Sequence, residues 1–249
     1  MSLTAIIGGT GLTELANLNI THREMVNTPY GTPSGPLIFG TMGNSEVVFM
    51  ARHGHRHTIP PHRVNYRANL WALKEVAVSR VVAVAAVGGI TAEMSPERIV
   101  IPEQIIDYTY GRSQTFFEDD LSFVTHIDFT HPYDDGLRQV LLASARELGM
   151  NPHDGGVYGA TQGPRLETRA EVDRLERDGC DIIGMTGMPE AALARELELR
   201  YAACALVVNW AAGRDGQAEI SLIEMEKCLA TGMENIRRLL QAALPAMCD

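Results

Sequence analysis

Residues able to do chemistry gather at a few points along the chain, each just after an apolar run. Gly8-Gly-Thr-Gly11 follows Ala5-Ile-Ile7 directly. Glycines there let backbone N–H groups approach an anion, and Thr10 adds a hydroxyl donor. The segment suits a plain tight turn equally well. It departs from nucleotide fingerprints, because Glu14 stands where a dinucleotide loop has its third small residue and the Walker lysine is absent. Ala51-Arg-His-Gly-His-Arg-His57 closes a second apolar run. Arg52 supplies a forked donor suited to phosphate, and the histidines donate or accept according to tautomer. His53, His55 and His57 also alternate as metal-binding His-x-His pairs do. A metal-dependent amidohydrolase would need further ligands at later strand ends, and His126, His131 and His153 close no obvious strand. Anion or substrate binding, a metal site and a structural role all stay open for this loop.

Two further loops, Gln162-Gly-Pro-Arg-Leu-Glu-Thr168 and Gly184-Met-Thr-Gly-Met-Pro-Glu190, put Gly, Pro and polar side chains between a strand and a helix. That is where α/β folds usually keep their ligands. Asn209, in Ala205-Leu-Val-Val-Asn-Trp-Ala-Ala-Gly213, stands at another strand end. Its amide offers an acceptor and two donors, whereas a carboxylate only accepts. It serves either a ligand or the local backbone.

These loops need a frame, and the sequence supplies one. The chain has 249 residues, 45% of them hydrophobic, enough for a full core in a single domain over residues 1–249. The formal charge of -10 leaves no diffuse basic footprint for nucleic acid or an anionic membrane, so any anion must be held by a local site. The start, Met1-Ser-Leu-Thr-Ala-Ile-Ile-Gly8, lacks a signal-like basic region, and no apolar run is long enough for a membrane span. A cytoplasmic protein is expected. Cys180, Cys204, Cys228 and Cys248 are too far apart for a metal knuckle or a redox pair and read as ordinary reduced residues.

The apolar runs Ala5–Ile7, Val47–Ala51, Val81–Val87, Ile99–Ile106, Ile182–Met185 and Ala205–Val208 predict buried strands. Between them lie helical patterns over Asn65–Val76, Asp134–Leu148 behind an Asp N-cap, Glu167–Arg177 and Pro189–Arg200. A last helix is marked by the capping pattern Ser221-Leu-Ile-Glu224 and by Leu229, Met233, Ile236 and Leu240 at helical spacing. The class is α/β. Gly111–His131 is long for a loop, which suggests a functional or interface segment.

Taken together, Gly8-Gly-Thr-Gly11, Ala51-Arg-His-Gly-His-Arg-His57, Val64-Asn-Tyr-Arg-Ala-Asn69-Leu-Trp-Ala-Leu-Lys74, Gln162-Gly-Pro-Arg165 and Met185-Thr186 occur in the order and spacing of one family. The chain resembles the 5'-methylthioadenosine phosphorylase branch of the purine nucleoside phosphorylases, nearly end to end. The resemblance implies a single α/β domain around a mixed, partly closed sheet flanked by helices, assembled as a homotrimer. It also implies cleavage of a purine nucleoside by inorganic phosphate as co-substrate, with no metal and no organic cofactor. Carried over residue by residue, phosphate meets Thr10, Arg52, His53, the Ala86 N–H and Thr186. The ribose lies by Met185, and the base by Leu166 and the 209 region. His53, Thr186 and Asn209 are then the catalytic candidates.

Two departures from the family pattern bear on specificity. Ala85 stands where a threonine hydroxyl usually meets phosphate. Where adenine-handling members carry an Asp-x-Asp pair, this chain has Asn209-Trp-Ala211. Adenine presents an acceptor at N7 and a donor at N6, which a protonated carboxyl satisfies. A departing 6-oxopurine presents N7–H and an acceptor at O6, which one amide satisfies. Leu222 and Met225 fall where this branch covers the 5' group with apolar side chains, although such positions also suit a helix core. His126 is implied to reach the same pocket from a neighbouring subunit, and the chain stops at Asp249, short of an extension that helps close the pocket in other members. The expected reaction is phosphorolysis of 5'-methylthioinosine to hypoxanthine and 5-methylthioribose 1-phosphate. The nearest alternatives are general inosine and guanosine phosphorolysis and methylthioadenosine phosphorolysis. A metal-dependent amidohydrolase and a non-catalytic nucleoside-binding module are the readings from other classes.

Overall fold

The computed structural model describes residues 3–15, 17–119, 122–216 and 219–247. Met1, Ser2, Cys248 and Asp249, and Asp120 and Leu121 of the long loop, lie outside the described residues. Strands β1 (Leu3–Gly8), β4 (Ser45–Ala51), β5 (Val78–Gly89) and β11 (Arg200–Trp210) form the centre of a mixed sheet in the order β4-β1-β5-β11, all parallel. Side chains alternate across it. Ala5, Ile7, Val48, Met50, Val81, Ala83, Ala203 and Ala205 pack on one face, and Ile6, Val47, Phe49, Val82, Val84, Cys204 and Leu206 on the other. A sheet buried on both faces explains why these segments read as continuous apolar runs.

Helices α1 (Tyr66–Glu75) and α4 (Gly187–Glu196) cover the first face, and α2 (Asp135–Glu147) and α5 (Leu222–Met247) the second. Asp134 caps α2, its carboxylate accepting from Leu137 N at 2.8 Å. The Ser221 hydroxyl accepts from Glu224 N at the head of α5. Helix α3 (Arg169–Arg177) starts two residues later than expected, behind a complete Thr168–Glu171 capping box.

Two expectations change, and one hairpin had not been expected. The run Ile99–Ile106 is two short strands, β6 (Ile99–Ile101) and β7 (Gln104–Asp107), because Pro102 has no N–H to donate and the chain turns there to pair β6 with β11 and β7 with β9 (Val157–Ala160). The helix expected over Pro189–Arg200 starts at Gly187 and ends at Glu196; Glu198 then turns through φ 56° and Arg200 already opens β11. A hairpin of β2 (Asn19–Glu24) and β3 (Leu37–Met42) extends the sheet beyond β4. All of β2 is exposed, so it carries no apolar signal.

On the other side the sheet branches at β5. The end of β5 pairs with β11 along one edge and, through Gly88 and Gly89, with antiparallel β10 (Ile182–Gly184) along the other. β10 continues to β9 and β7, and β6 continues to β8 (His153–Asp154), so the path among the described residues stays open. Cys180, Cys204 and Cys228 are free and buried. No helix among the described residues is long and apolar enough to cross a membrane.

Candidate active site

The branch at β5 brings distant segments together. Antiparallel pairing carries β10 back along β5, so that Met185 and Thr186 emerge beside Ala86 and Val87. On the opposite edge the register slips between Val207 and Asn209, which leaves Asn209 level with Gly88. A bulge of this kind re-aims a side chain. These ends, the loops after β1 and β4, the 164–167 loop and the first two turns of α5 line one cavity of about 680 Å³. Thr10, Arg52, His53, Ala85, Ala86, Leu166, Met185, Thr186, Asn209, Ala211, Leu222 and Met225 all line it. His126 does not line the cavity; it is exposed on the long loop near Phe123 and Val124, which are 76% and 71% exposed.

The glycines of the first loop answer to close approach. A Cβ on Gly8 would collide with Leu12 O, and one on Gly9 would lie 2.5 Å from Val84 O and 3.1 Å from an Arg52 nitrogen. Arg52 is buried, and its fork does not face an open anion site. Nε and Nη2 donate to the two carboxylate oxygens of Glu190 at 2.6 and 2.7 Å, and Nη1 donates to Val84 O at 2.9 Å. Burial works against the Arg52 charge, but the field and hydrogen bonds of Glu190 outweigh it and raise the guanidinium above its ordinary value. Arg52 therefore stays charged, and Glu190 balances that charge.

His53 is poised as a neutral ring. Burial, reinforced by the Arg52 charge, pulls it down to about 4. Its Nδ1 lies 2.8 Å from Ile59 O, a carbonyl that can only accept, so Nδ1 carries the proton and Nε2 is left as an acceptor. His57 tilts against His53 at 4.7 Å between centroids, and an exposed His55 lies 3.7 Å from Glu14. His53 and His57 thus meet without His55, and among the described residues no group of three His, Cys, Asp or Glu side chains is placed to hold a metal ion. Thr186 is the N-cap residue of α4 and lines the cavity, and its hydroxyl makes no capping hydrogen bond. The lining residues described include no lysine and no second arginine. What they offer an anion is mainly neutral donors.

On the β11 edge of β5, Asn209 Nδ2 donates to Trp210 O at 2.6 Å, so one amide hydrogen serves the backbone, leaving the second hydrogen and Oδ1. Ala211 is buried beside it. Glu167, a residue the sequence reading passed over, lines the same cavity. Burial raises its carboxyl, opposed by the Thr161 hydroxyl, which donates to it at 2.6 Å. Leu222 is 64% exposed, at the rim of the cavity.

Two more residues were missed. Glu190 is wholly buried between Ala191 and the Arg52 guanidinium; an acid beside Ala191, Leu193 and Ala194 on a core-facing helix was the available signal. Arg112 ties two site loops together, its Nη1 donating to Met185 O and Met188 O at 2.9 and 2.6 Å and its Nη2 to Thr161 O and Gln162 O at 3.2 and 2.9 Å. It sits in the 111–131 segment, whose length was its only sign.

The family model of the phosphorylase superfamily matches residues 4–245. A probable S-methyl-5'-thioinosine phosphorylase of Pseudomonas syringae pv. tomato is 56% identical over 246 residues, covering 99% of this chain and all of that protein. A 6-oxopurine nucleoside phosphorylase of Pyrococcus furiosus is 44% identical, over 98% of this chain and 93% of its own. Among solved structures, the methylthioadenosine phosphorylase of Schistosoma mansoni in complex with adenine superposes with a TM-score of 0.95 at 30% identity, over 100% of this chain and 92% of that one. The protein belongs to the phosphorylase superfamily and, within it, to the purine nucleoside phosphorylases.

Proposed function

We propose that the protein cleaves 5'-methylthioinosine with inorganic phosphate, releasing hypoxanthine and 5-methylthioribose 1-phosphate. A phosphate oxygen bonds to C1' as the bond from C1' to N9 breaks. The electron pair stays on the purine, whose N7 takes up the proton that monohydrogen phosphate loses on becoming the ester. The observation that carries the substrate is the base end of the cavity, where Asn209 stands with Ala211 and Glu167 and no Asp-x-Asp pair is present. The free amide hydrogen and Oδ1 of Asn209 suit O6 and N7–H. An ionised Glu167 suits the N1–H that hypoxanthine has and adenine lacks. Satisfying N7–H stabilises the transition state in particular, because that hydrogen-bonding need grows as the glycosidic bond stretches.

At the phosphate end, the reading assigns the anion to Thr10, the Ala86 N–H, Thr186, His53 Nε2 and the two guanidinium hydrogens of Arg52 not committed to Glu190 or Val84. A neutral His53 that accepts a hydrogen bond fits a phosphate that still carries its proton. Met185 lies under the ribose, with Leu166 against the base. The names of several relatives support the methylthio group, and Leu222 and Met225 supply apolar surface for it. The exposure of Leu222 and of the Phe123–Val124 segment supports a homotrimer in which a neighbouring subunit completes this end with His126. The reading needs no metal or organic cofactor and sets the enzyme in the cytoplasm.

The test is a panel of methylthioinosine, methylthioadenosine, inosine and guanosine, each with and without phosphate. Phosphate-dependent turnover fastest on methylthioinosine is expected. Equal use of inosine would favour the general 6-oxopurine phosphorylase, and a preference for methylthioadenosine would refute the base assignment.

A further inference from the structure

Phosphate-binding sites commonly present arginine as an uncommitted cation, and this one does not. Arg52 and Glu190 are 1% and 0% exposed, and their contact is a two-pronged fork at 2.6 and 2.7 Å. Tyr201 OH donates to the same Glu190 carboxylate at 2.8 Å, which holds it from a third direction. Glu190 also sits in the first turn of α4, one turn beyond Thr186 at the cavity wall. The pair is therefore rigid, dry and close to where the anion belongs. It contributes hydrogen-bond donors without net charge.

That neutrality has a chemical consequence, which rests on the phosphorolysis reading above. As the bond to the purine stretches, positive charge grows on the ribose at C1', and the nearest negative charge is the attacking phosphate itself. An unbalanced guanidinium beside the phosphate would bind it tightly before reaction and oppose the growing cation during it. Interactions equally strong before and during reaction do not speed the chemical step, and those that weaken toward the transition state slow it. We propose that Glu190 is a positioning residue for phosphorolysis: it aims Arg52 and cancels its charge, so that phosphate is held by neutral donors and keeps its own charge for the ribosyl cation.

The test separates this role from simple bracing of Arg52. In Glu190→Gln the amide keeps the size of the side chain and removes the balancing charge. Phosphate KM should fall at least ~5-fold while kcat falls at least ~10-fold, since a single uncompensated charge acts across a few ångströms of poorly screened space. In Arg52→Gln/Glu190→Gln the pair is neutral again, as buried ion pairs replaced whole often tolerate. Its kcat should exceed that of Glu190→Gln. If Glu190 merely braces Arg52, the single variant raises phosphate KM, and the double variant is at least as slow as the single; either result overturns the proposal. Should Glu190→Gln not fold, the rise in Tm of the double variant on adding phosphate decides: a rise close to that of wild type supports the proposal and no rise overturns it. Wild-type protein that turns over equally well without phosphate would instead refute the phosphorolysis reading and this inference with it.

Discussion

Replacing Asn209 with aspartate is the sharpest perturbation of base choice. The amide Nδ2 donates to Trp210 O at 2.6 Å. A carboxylate oxygen there would face a carbonyl oxygen, acceptor against acceptor, and its other oxygen would face O6 of the purine in the same way. Losing the partly buried bond to Trp210 O and leaving that acceptor unpaired costs ~1–3 kcal/mol of stability, because the bond exists without substrate. The mismatch at O6 is met only with the base bound and costs ~1–3 kcal/mol, so at about 1.4 kcal/mol per decade kcat/KM for methylthioinosine should fall ~10- to 10²-fold in Asn209→Asp. Adding Ala211→Asp supplies a second carboxyl next to the first. Like charges so close share a proton, and the shared proton can be donated to N7 of adenine while the other oxygens accept from its amine. Ala211 borders this cavity and an adjoining one, so the longer side chain has room. The assay is kcat/KM for methylthioinosine and methylthioadenosine in wild type, Asn209→Asp and the double variant, with Tm for each. The ratio of adenosine-type to inosine-type cleavage should rise in the double variant. A ratio that does not move would show that Asn209 does not choose the base.

Arg52→Ala strands the buried Glu190 charge, which should lower stability by ~3–5 kcal/mol and phosphate-dependent kcat/KM at least ~10²-fold; a folded variant with unchanged phosphate dependence would contradict the assignment. If Leu222 and Met225 cover a methylthio group, methylthioinosine should exceed inosine in kcat/KM by more than ~10-fold, and Leu222→Ser with Met225→Ser should shrink that ratio; equal use of both nucleosides by wild type would reject the pocket. Burial raises the Glu167 carboxyl, so it turns from acceptor to donor at a higher pH than an ordinary glutamate as the solution is acidified. Methylthioinosine cleavage should therefore fall, and the methylthioadenosine to methylthioinosine ratio rise, as pH drops through that point. A Glu167→Gln variant with the wild-type pH profile would remove Glu167 from base recognition.

The centre of the fold was legible because it obeys local rules. Strands buried on both faces announce themselves as apolar runs, and Asp134 and Ser221 mark helix starts through their own side-chain chemistry, whereas the Thr168 cap of α3 went unread. Failures fell where the signal is not local. β2 is exposed along its whole length and is held only by its neighbour β3. Pro102 divides a continuous apolar run because the two halves serve different branches of the sheet. In the site, polar residues at strand ends were readable one loop at a time. Glu190 was not, because nothing in its own helix says that an arginine 138 positions earlier will need it. Arg112 was hidden for the same reason, since four of its partners are backbone carbonyls, which every residue carries.

The branch at β5 explains why these distant residues share one cavity. An ordinary parallel sheet gives each strand end two neighbours along a line, which suits a groove. Here the last residues of β5 meet β10 on one edge and β11 on the other, and β10 runs in the opposite direction. The Met185–Thr186 loop is thereby turned back toward Ala86, while the slip in β11 sets Asn209 beside Gly88. Gly88 matters to this arrangement. A Cβ there would press on Ile183 at 3.1 Å and reach Ala211 at 3.6 Å, so its absence lets the β10 and β11 branches close on the β5 end. In the proposed reaction this would set the phosphate donors and the base-reading groups on opposite edges of one strand end, with C1' of the ribose between them. The two half-sites proposed for the reactants are joined through the paired strands β10, β5 and β11, which would hold them in a fixed relation.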